Sequence, residues 1–470
     1  MQVYNTLSKK KEEFIPLNPG KVGMYVCGPT VYSYFTIGNL RAYVFADTLR
    51  RTLEDAGYEV RLIKNITDVG HLTADDLGQG DSGEDKIAKI AKAEHKTPQE
   101  IAEFYEDYFH ATEEKMNILP AQYFPRATAH IKQMIGLIEE LIAKGHAYEK
   151  NGNVFLDVTT FPDYGKLSGN TLANLKVGAR LEAHPDKKNP WDFALWLKAP
   201  AGHLMRWPSP FSEGYPGWHI ECSAMSMEYL GDTLDIHTGG EDNIFPHHEA
   251  EIVQSEGVTN KPFVRYFVHT RHMLVDGAKM SKSKNNFYTL EDVLAKGYSA
   301  MDFRMLLMSA HYRTQINFTW EAMEQAKKNK ETLYGIVERL NALSKDQDKP
   351  EAFDGAETLK NFKVAMRDDL NSPLALSTAL ELTKEINTLL DQEGAVNGTV
   401  LGLVFEKIFF LLGLVKETVV VPENITALAT ARVAARAAKD FALSDRLRGE
   451  IEALGYRIED VPTGYRVKKI

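Results

Sequence analysis

The chain has 470 residues, 44% apolar and 26% charged, with a formal net charge of −10. This composition excludes a disordered or fibrous chain, and at about 150 residues per domain the length allows roughly three domains. The acidic balance excludes a protein that grips nucleic acid by bulk charge, so any such contact must be local; residues 431–470, with nine Lys/Arg against six Asp/Glu, form an electropositive end.

In chain order, the apolar run 24–27 ends at Gly28-Pro29 and reads as a strand followed by a turn. Residues 40–55 read as a helix, because Leu40, Tyr43, Val44, Leu49 and Leu53 recur at helical spacing and Gly57 supplies a stop. Residues 58–63 alternate as a strand. This β-α-β opening predicts a parallel sheet covered by helices. The Asp/Gly-rich stretch 72–84 reads as a loop, and 85–117 as helical with a break before Pro98. Residues 120–215 are mixed and rich in turn residues, the pattern of an insertion into the first domain. Strand signals return at 234–237 and 263–268. From 320 to about 414 the pattern is helical, with breaks near 344–356 and 395–400, which predicts a helix bundle. The last stretch is expected to form a small basic unit with helical segments at 425–454.

Two cysteines, Cys27 and Cys222, are too few for a disulfide scaffold and fit a reducing compartment. The amino terminus lacks the apolar stretch of a signal peptide. The run 408–415, flanked by Lys407 and Lys416, is far shorter than the ~20 residues of a membrane span. The expectation is a cytoplasmic protein with no membrane partner.

Three groups of residues carry recognisable chemistry. Thr36-Ile-Gly-Asn39 opens the first helix, where main-chain N–H groups and the helix dipole attract phosphate. Gly38, without a Cβ, lets a flat base or ribose approach the backbone. Lys279-Met-Ser-Lys-Ser283 follows a Gly277 turn and offers two lysines to charge developing on a transferring phosphoryl group. Cys222 lies in Trp218-His-Ile-Glu-Cys222, upstream of Pro246-His-His-Glu-Ala-Glu251. A helix starting after Pro246 would put His247 and Glu251 on one face. A thiolate, an imidazole and a carboxylate suit Zn²⁺, and Cys27 could add a second thiolate. His248 and Glu249 stand close enough to leave the choice of ligands open, and spacing does not reveal whether both cysteines share one site. In the tail, Arg436, Lys439, Asp440, Phe441, Asp445, Arg448 and Asp460 could stack on and hydrogen-bond to splayed bases, or form an ordinary salt-bridged helix face.

Taken together these segments resemble the cysteinyl-tRNA synthetases, a family of class I aminoacyl-tRNA synthetases, from about residue 2 to residue 467. The resemblance rests on Tyr25-Val-Cys-Gly-Pro-Thr30, Ile37-Gly-Asn39, Asn65-Ile-Thr-Asp68, Pro216-Gly-Trp-His-Ile-Glu-Cys-Ser-Ala-Met225, Phe245-Pro-His-His-Glu-Ala-Glu251, Lys279-Met-Ser-Lys-Ser283 and Ala310-His-Tyr-Arg313. It implies an α/β fold with a Rossmann-type catalytic domain in two halves, 1–116 and 216–319, split by a connective insertion over 117–215. A helical bundle at 320–404 and a small anticodon-binding domain at 405–470 are implied to follow. It implies one Zn²⁺ per chain on Cys27, Cys222, His247 and Glu251, with the substrate's thiolate as a further ligand. Thr67, Trp218, His237 and Asp242 would line the cysteine pocket. Thr36, Ile37, Gly38, Asn39, Lys279, Met280, Ser281, Lys282 and Ser283 would bind ATP with Mg²⁺, with Thr36, Asn39, Lys279 and Lys282 taking part in catalysis. Arg436, Phe441, Asp445, Arg448 and Asp460 would read the anticodon. Its partners would be tRNA(Cys), L-cysteine and ATP, and the chain would act as a monomer.

Three departures stand out. Thr36 occupies a position where the family usually has His. Phe441 replaces a usual Trp, which keeps stacking but loses an N–H. The stretch 70–85 is longer than in many relatives. Two related activities share the motifs. A ligase joining activated cysteine to an amino sugar would have no use for the tail 405–470, and a degenerate RNA-binding protein would not need Lys279, Lys282, Cys27 and Cys222 intact. Lys86 and Lys89 are the lysines available to a pyridoxal-phosphate-dependent persulfide-forming side activity.

Overall fold

Apolar runs bounded by turn residues become buried strands here, and the first of them lies inside a sheet. The computed structural model describes residues 1–70, 72, 84–174, 184–280, 286–343, 352–392, 396–415, 422–461 and 464–469. After a hairpin of β1 (Gln2–Asn5) and β2 (Lys10–Glu13), β3 (Lys21–Val26) buries Val22, Met24, Tyr25 and Val26. Helix α1 (Ile37–Asp55) buries the expected Leu40, Tyr43, Val44, Leu49 and Leu53. The chain then turns through Gly57, at φ +95°, into β4 (Glu59–Lys64), which runs parallel to β3. The next helical stretch splits as expected into α2 (Lys86–Glu94) and α3 (Pro98–Lys115), because Thr97 caps the second and Pro98 starts it.

Helix α4 (Ile131–Ala143) leads to β5 (Ala147–Lys150), β6 (Asn153–Leu156), β7 (Phe193–Lys198) and β8 (Gly214–Pro216), which pair antiparallel in that order as a separate sheet. Helix α5 (Trp218–Leu230), β9 (Leu234–Gly240), α6 (Glu249–Thr259) and β10 (Val264–Thr270) return the chain to the first sheet. That sheet has the order β10-β9-β3-β4, with every pairing parallel. From β3 the chain moves one way to β4, and from β9 the other way to β10. The reversal leaves a crevice at the carboxyl ends of β3 and β9, where open α/β sheets bind ligands. Cys27 follows β3 at that crevice, and β9 carries His237 and Thr238, both buried.

A small sheet of order β12-β11-β13 follows. It comprises β11 (Met273–Val275), β12 (Ala278–Lys279) and β13 (Ile316–Phe318), with α7 (Leu290–Ala295) and α8 (Ala300–Met308) between the last two strands. Helices α9 (Trp320–Asn341), α10 (Ala356–Arg367), α11 (Ser372–Asp391) and α12 (Gly398–Leu412) follow and pack on one another and on α1 and α8. By its own contacts the chain divides into Met1–Val293 with Tyr298–Leu414, and Leu294–Gly297 with Val415–Ile470. The boundary expected between 404 and 405 therefore moves. It would cut α12, which buries Leu401, Val404, Phe405, Ile408, Leu411 and Leu412 against α1, α9 and α10. The second unit contains α13 (Glu423–Ala437), α14 (Phe441–Ala453) and the antiparallel pair β14 (Tyr456–Val461) and β15 (Gly464–Lys469), around a core of Ile425, Ala429, Ile451 and Ile458. Among the described residues no helix is long and apolar enough to cross a membrane.

Candidate metal centre and nucleotide site

Cys27 is held at the end of β3 by a hydrogen bond from its N–H to the Thr238 carbonyl, 3.2 Å. The next residue has to be glycine: a Cβ on Gly28 would stand 1.6 Å from the Asn65 carbonyl oxygen, and the Gly28 N–H donates to Asn65 Oδ1 at 2.8 Å. Cys222 comes from the buried face of α5, which Ser223 ties to α6 through Gln254 Oε1 at 2.6 Å. The regular part of α6 begins at Glu249 rather than directly after Pro246, because residues 244–248 form a wider turn kinked at Phe245. His247 Nε2 still lies 3.2 Å from Glu251 Oε1 and 3.4 Å from Cys222 Sγ.

The donor atoms of Cys27, Cys222, His247 and Glu251 all lie within 4.8 Å of one another. In a tetrahedral zinc site with bonds of about 2.0–2.3 Å, ligand atoms are roughly 3.3–3.8 Å apart. Two thiols, an imidazole and a carboxylate at these separations fit such an ion in both spacing and softness. Cys27, His237, His248 and Glu251 form a second, overlapping set. His248 Nε2 is 3.2 Å from Cys27 Sγ, and His237 Nε2 is 2.8 Å from Glu251 Oε2. The hydrogen bond to Cys222, burial and the nearby negative groups push the Cys27 thiol well above its ordinary range. Burial raises Glu251 and drives His248 well down. Burial, then His237, brings His269 down to about 3.

Of the four positions that the resemblance implies for a cysteine pocket, three border this cluster. Trp218 faces His247 with ring centroids 4.6 Å apart. His237 is wholly buried beside Glu251. Asp242 is exposed in the turn after β9, and its charge adds to the upward push on Cys27. Thr67 is buried on the far side of Gly28, where its Oγ1 accepts from Asn65 Nδ2 at 3.0 Å. Sequence reasoning missed His219, whose Nδ1 is 2.9 Å from His247 Nδ1, although it sits inside the quoted Trp218–Cys222 segment.

The two segments expected to bind the nucleotide approach each other at Gly38 and Met280. A Cβ on Gly38 would stand 2.5 Å from Met280 Cε, and the Ile37 N–H donates to the Tyr288 carbonyl at 2.9 Å. Lys279 is exposed on β12; Ser281, Lys282 and Ser283 lie outside the described residues. Thr36 is the N-cap of α1. Its Oγ1 accepts the Asn39 N–H at 3.2 Å, and Asn39 Oδ1 accepts from the Thr36 N–H and hydroxyl at 2.9 and 2.8 Å. In the second unit Phe441, 62% exposed, begins α14; Asp445 and Arg448 follow on the same exposed face. Arg436 is exposed in the last turn of α13, and Asp460 is on β14 with its side chain outside the described residues.

Residues 13–328 match the family described as tRNA synthetases class I (C) catalytic domain, and residues 361–416 match the DALR domain. The chain is 43% identical to a Cysteine--tRNA ligase of Symbiobacterium thermophilum over 100% of its own length and 99% of that protein. It is 42% identical to one of Chlorobaculum tepidum over 99% and 98%. It also resembles the solved Mycobacterium tuberculosis methionyl-tRNA synthetase in fold, at a TM-score of 0.60 and 13% identity, covering 83% of this chain and 89% of that one. The catalytic-domain match over residues 13–328 and the full-length relatives show that the chain belongs to the cysteinyl-tRNA synthetases of class I.

Proposed function

We propose that the protein is a cysteine–tRNA ligase. It activates L-cysteine with ATP, transfers the cysteinyl group to the 3′ end of tRNA(Cys), and selects cysteine through its sulfur. The convergence of Cys27, Cys222, His247 and Glu251 in the crevice is the observation that carries this reading. A Zn²⁺ on these four residues would supply a soft Lewis acid for the substrate's thiolate, which neither the hydroxyl of serine nor the methyl of alanine replaces. A purely apolar pocket would separate such near-isosteres by only about 10²-fold. A separate editing site is then unnecessary.

In the first step a carboxylate oxygen of cysteine forms a bond to the α-phosphorus of ATP. The bond from that phosphorus to the bridging oxygen breaks, and pyrophosphate leaves with the electron pair. In the second step a ribose hydroxyl of the terminal adenosine attacks the carbonyl carbon, AMP departs, and the hydroxyl proton is released. Lys279, with Lys282, stabilises the charge on the five-coordinate phosphorus, and Mg²⁺ accompanies the nucleotide. Positioning does the rest, with no covalent enzyme intermediate. At the start of α1 the amides of Ile37, Asn39 and Leu40 are taken by Tyr288, Thr36 Oγ1 and the Thr36 carbonyl. The Gly38 N–H has no bond among the described residues and is the donor we assign to the nucleotide. Thr67, Trp218, His237 and Asp242 hold the amino acid, and Arg436, Phe441, Asp445, Arg448 and Asp460 read the anticodon. We read the enzyme as a cytoplasmic monomer, a reading that its two free thiols support because they suit a reducing compartment.

Pyrophosphate exchange into ATP tests the reading. Exchange should require cysteine and fail with serine, and charging of tRNA(Cys) should follow. Cys222→Ser should lose bound zinc and affinity for cysteine together. A full zinc equivalent in that variant would mean the ligands are misassigned.

A further inference from the structure

Arg41 is the fifth residue of α1, on the turn after the first nucleotide signature, and it is 3% exposed. No carboxylate forms an ion pair with it among the described residues. Its guanidinium donates instead to main-chain carbonyls: Nη1 to His272 at 3.0 Å, and Nη2 to His311, Tyr312 and Thr314 at 3.3, 3.4 and 2.5 Å. Burial lowers it to about 10, so it stays cationic at neutral pH. His272 immediately precedes β11, and Thr314 shortly precedes β13; the two strands pair in parallel, Met273 opposite Ile316. β12 lies antiparallel on β11, with Lys279 opposite Leu274. One planar fork thus holds the entries of both strands that support Lys279, a reach that a compact ammonium lacks.

Glu241 grips the same base from the other side. It follows β9, adjoins Asp242, and accepts the His272 N–H at 2.9 Å and the His272 Nδ1–H. Gln315 Nε2 lies 2.5 Å from His272 Nε2 and closes the far side of the ring. Arg271 Nη1 lies 3.1 Å from the other Glu241 oxygen.

We propose that Arg41 and Glu241 are positioning residues for Lys279: they clamp the base of the β11–β12 hairpin to α1 and to the end of β9, keeping one spacing between the two nucleotide segments. The inference rests on the reading that Lys279 acts on the phosphoryl group being transferred.

Pyrophosphate exchange by the full-length, zinc-replete enzyme tests it, with rates expressed per active site counted from the adenylate burst. In Arg41→Lys and Arg41→Gln alike, KM for ATP should rise and kcat fall by roughly tenfold or more, the scale of an ångström-sized misplacement. KM for cysteine and bound zinc should stay within about twofold of wild type, since neither ligand touches the hairpin base. Glu241→Gln, at a partly exposed site that does not threaten folding, should shift the same ATP constants in the same direction by roughly threefold, the loss of one charge-assisted hydrogen bond in water's reach. The double variant should lose less than the product of the two. Rescue by Arg41→Lys would reduce the role to charge and overturn the clamp. Unchanged constants per active site, losses shared equally by cysteine and zinc, or strict additivity would overturn it too. A wild-type enzyme without cysteine-dependent exchange would instead sink the functional reading.

Discussion

At the residue scale, Thr36, which stands where the resemblance leads one to expect an imidazole, is committed to capping α1. Its hydroxyl and backbone are both spent on a reciprocal capping box with Asn39. The role left to Thr36 is therefore to start α1 and present the Gly38 amide. Removing an N-cap hydroxyl costs about 1 kcal/mol. Thr36→Ala is expected to lower stability by about that amount in a denaturant titration, while KM for ATP changes by less than threefold. Thr36→Asn, which keeps a capping oxygen, should restore the lost stability. A large loss of exchange at unchanged stability would show that the hydroxyl contacts the nucleotide instead.

At the element scale, buried charge joins helices that are distant in the chain. Asp47 of α1 accepts from Arg51 Nε at 2.8 Å and from Arg304 of α8, and its other oxygen accepts the Leu119 N–H at 2.9 Å. Arg304 continues to the Leu412 carbonyl at the end of α12, 2.8 Å away. There Gly413 cannot be replaced, because a Cβ would stand 1.8 Å from Arg304 Nη2. Burial alone would raise Asp47, but Arg304 and Arg51 outweigh it and hold the carboxyl below its usual range. Asp55 at the end of α1 is likewise held down, against burial, by Lys363 and Lys407. Both groups have a folded pKa below the unfolded value near 3.9. The stability they contribute is therefore complete above about pH 5 and is lost as pH falls through the folded values. Acid unfolding should set in below about pH 4. Asp47→Asn should cost roughly 3–5 kcal/mol at pH 7, because it strands two guanidinium groups, and should flatten that acid limb. An unchanged limb would assign acid unfolding to other carboxylates. Sequence reading located α1 from its apolar spacing and α2–α3 from Pro98, since those signals are local. It could not place Arg41, Asp47 or Arg304, because their partners are carbonyls and charges supplied by segments far along the chain.

At the scale of the whole molecule, the same distinction separates what was legible from what was not. Strands β3, β4, β9 and β10 show in the sequence as short apolar runs, and the β-α-β opening predicts parallel pairing. The adjacency of β3 and β9, with Tyr25 opposite His237, was not legible, because an insertion with its own antiparallel sheet lies between them. That adjacency is what brings Cys27 to Cys222, so the metal set needed family resemblance or the fold. The end of the helical region was legible as a pattern, helical to about 414, and α12 runs to Leu412 with its apolar face on α1; only the domain boundary implied at 404 falls short of it. Two truncations tell these boundaries apart. A chain ending after Val415 keeps α12 and Gly413 against Arg304, and should retain cysteine-dependent exchange while losing most charging of tRNA(Cys). A chain ending after Val404 strips Phe405, Ile408, Leu411 and Leu412 from the core, each worth about 1.5–3 kcal/mol of burial. It also orphans the Arg304 donor. It should fall below the 5–15 kcal/mol margin of an ordinary domain and lose exchange with its fold, seen as early thermal unfolding. Equal exchange by both fragments would return the boundary to residue 404 and reduce α12 to a linker.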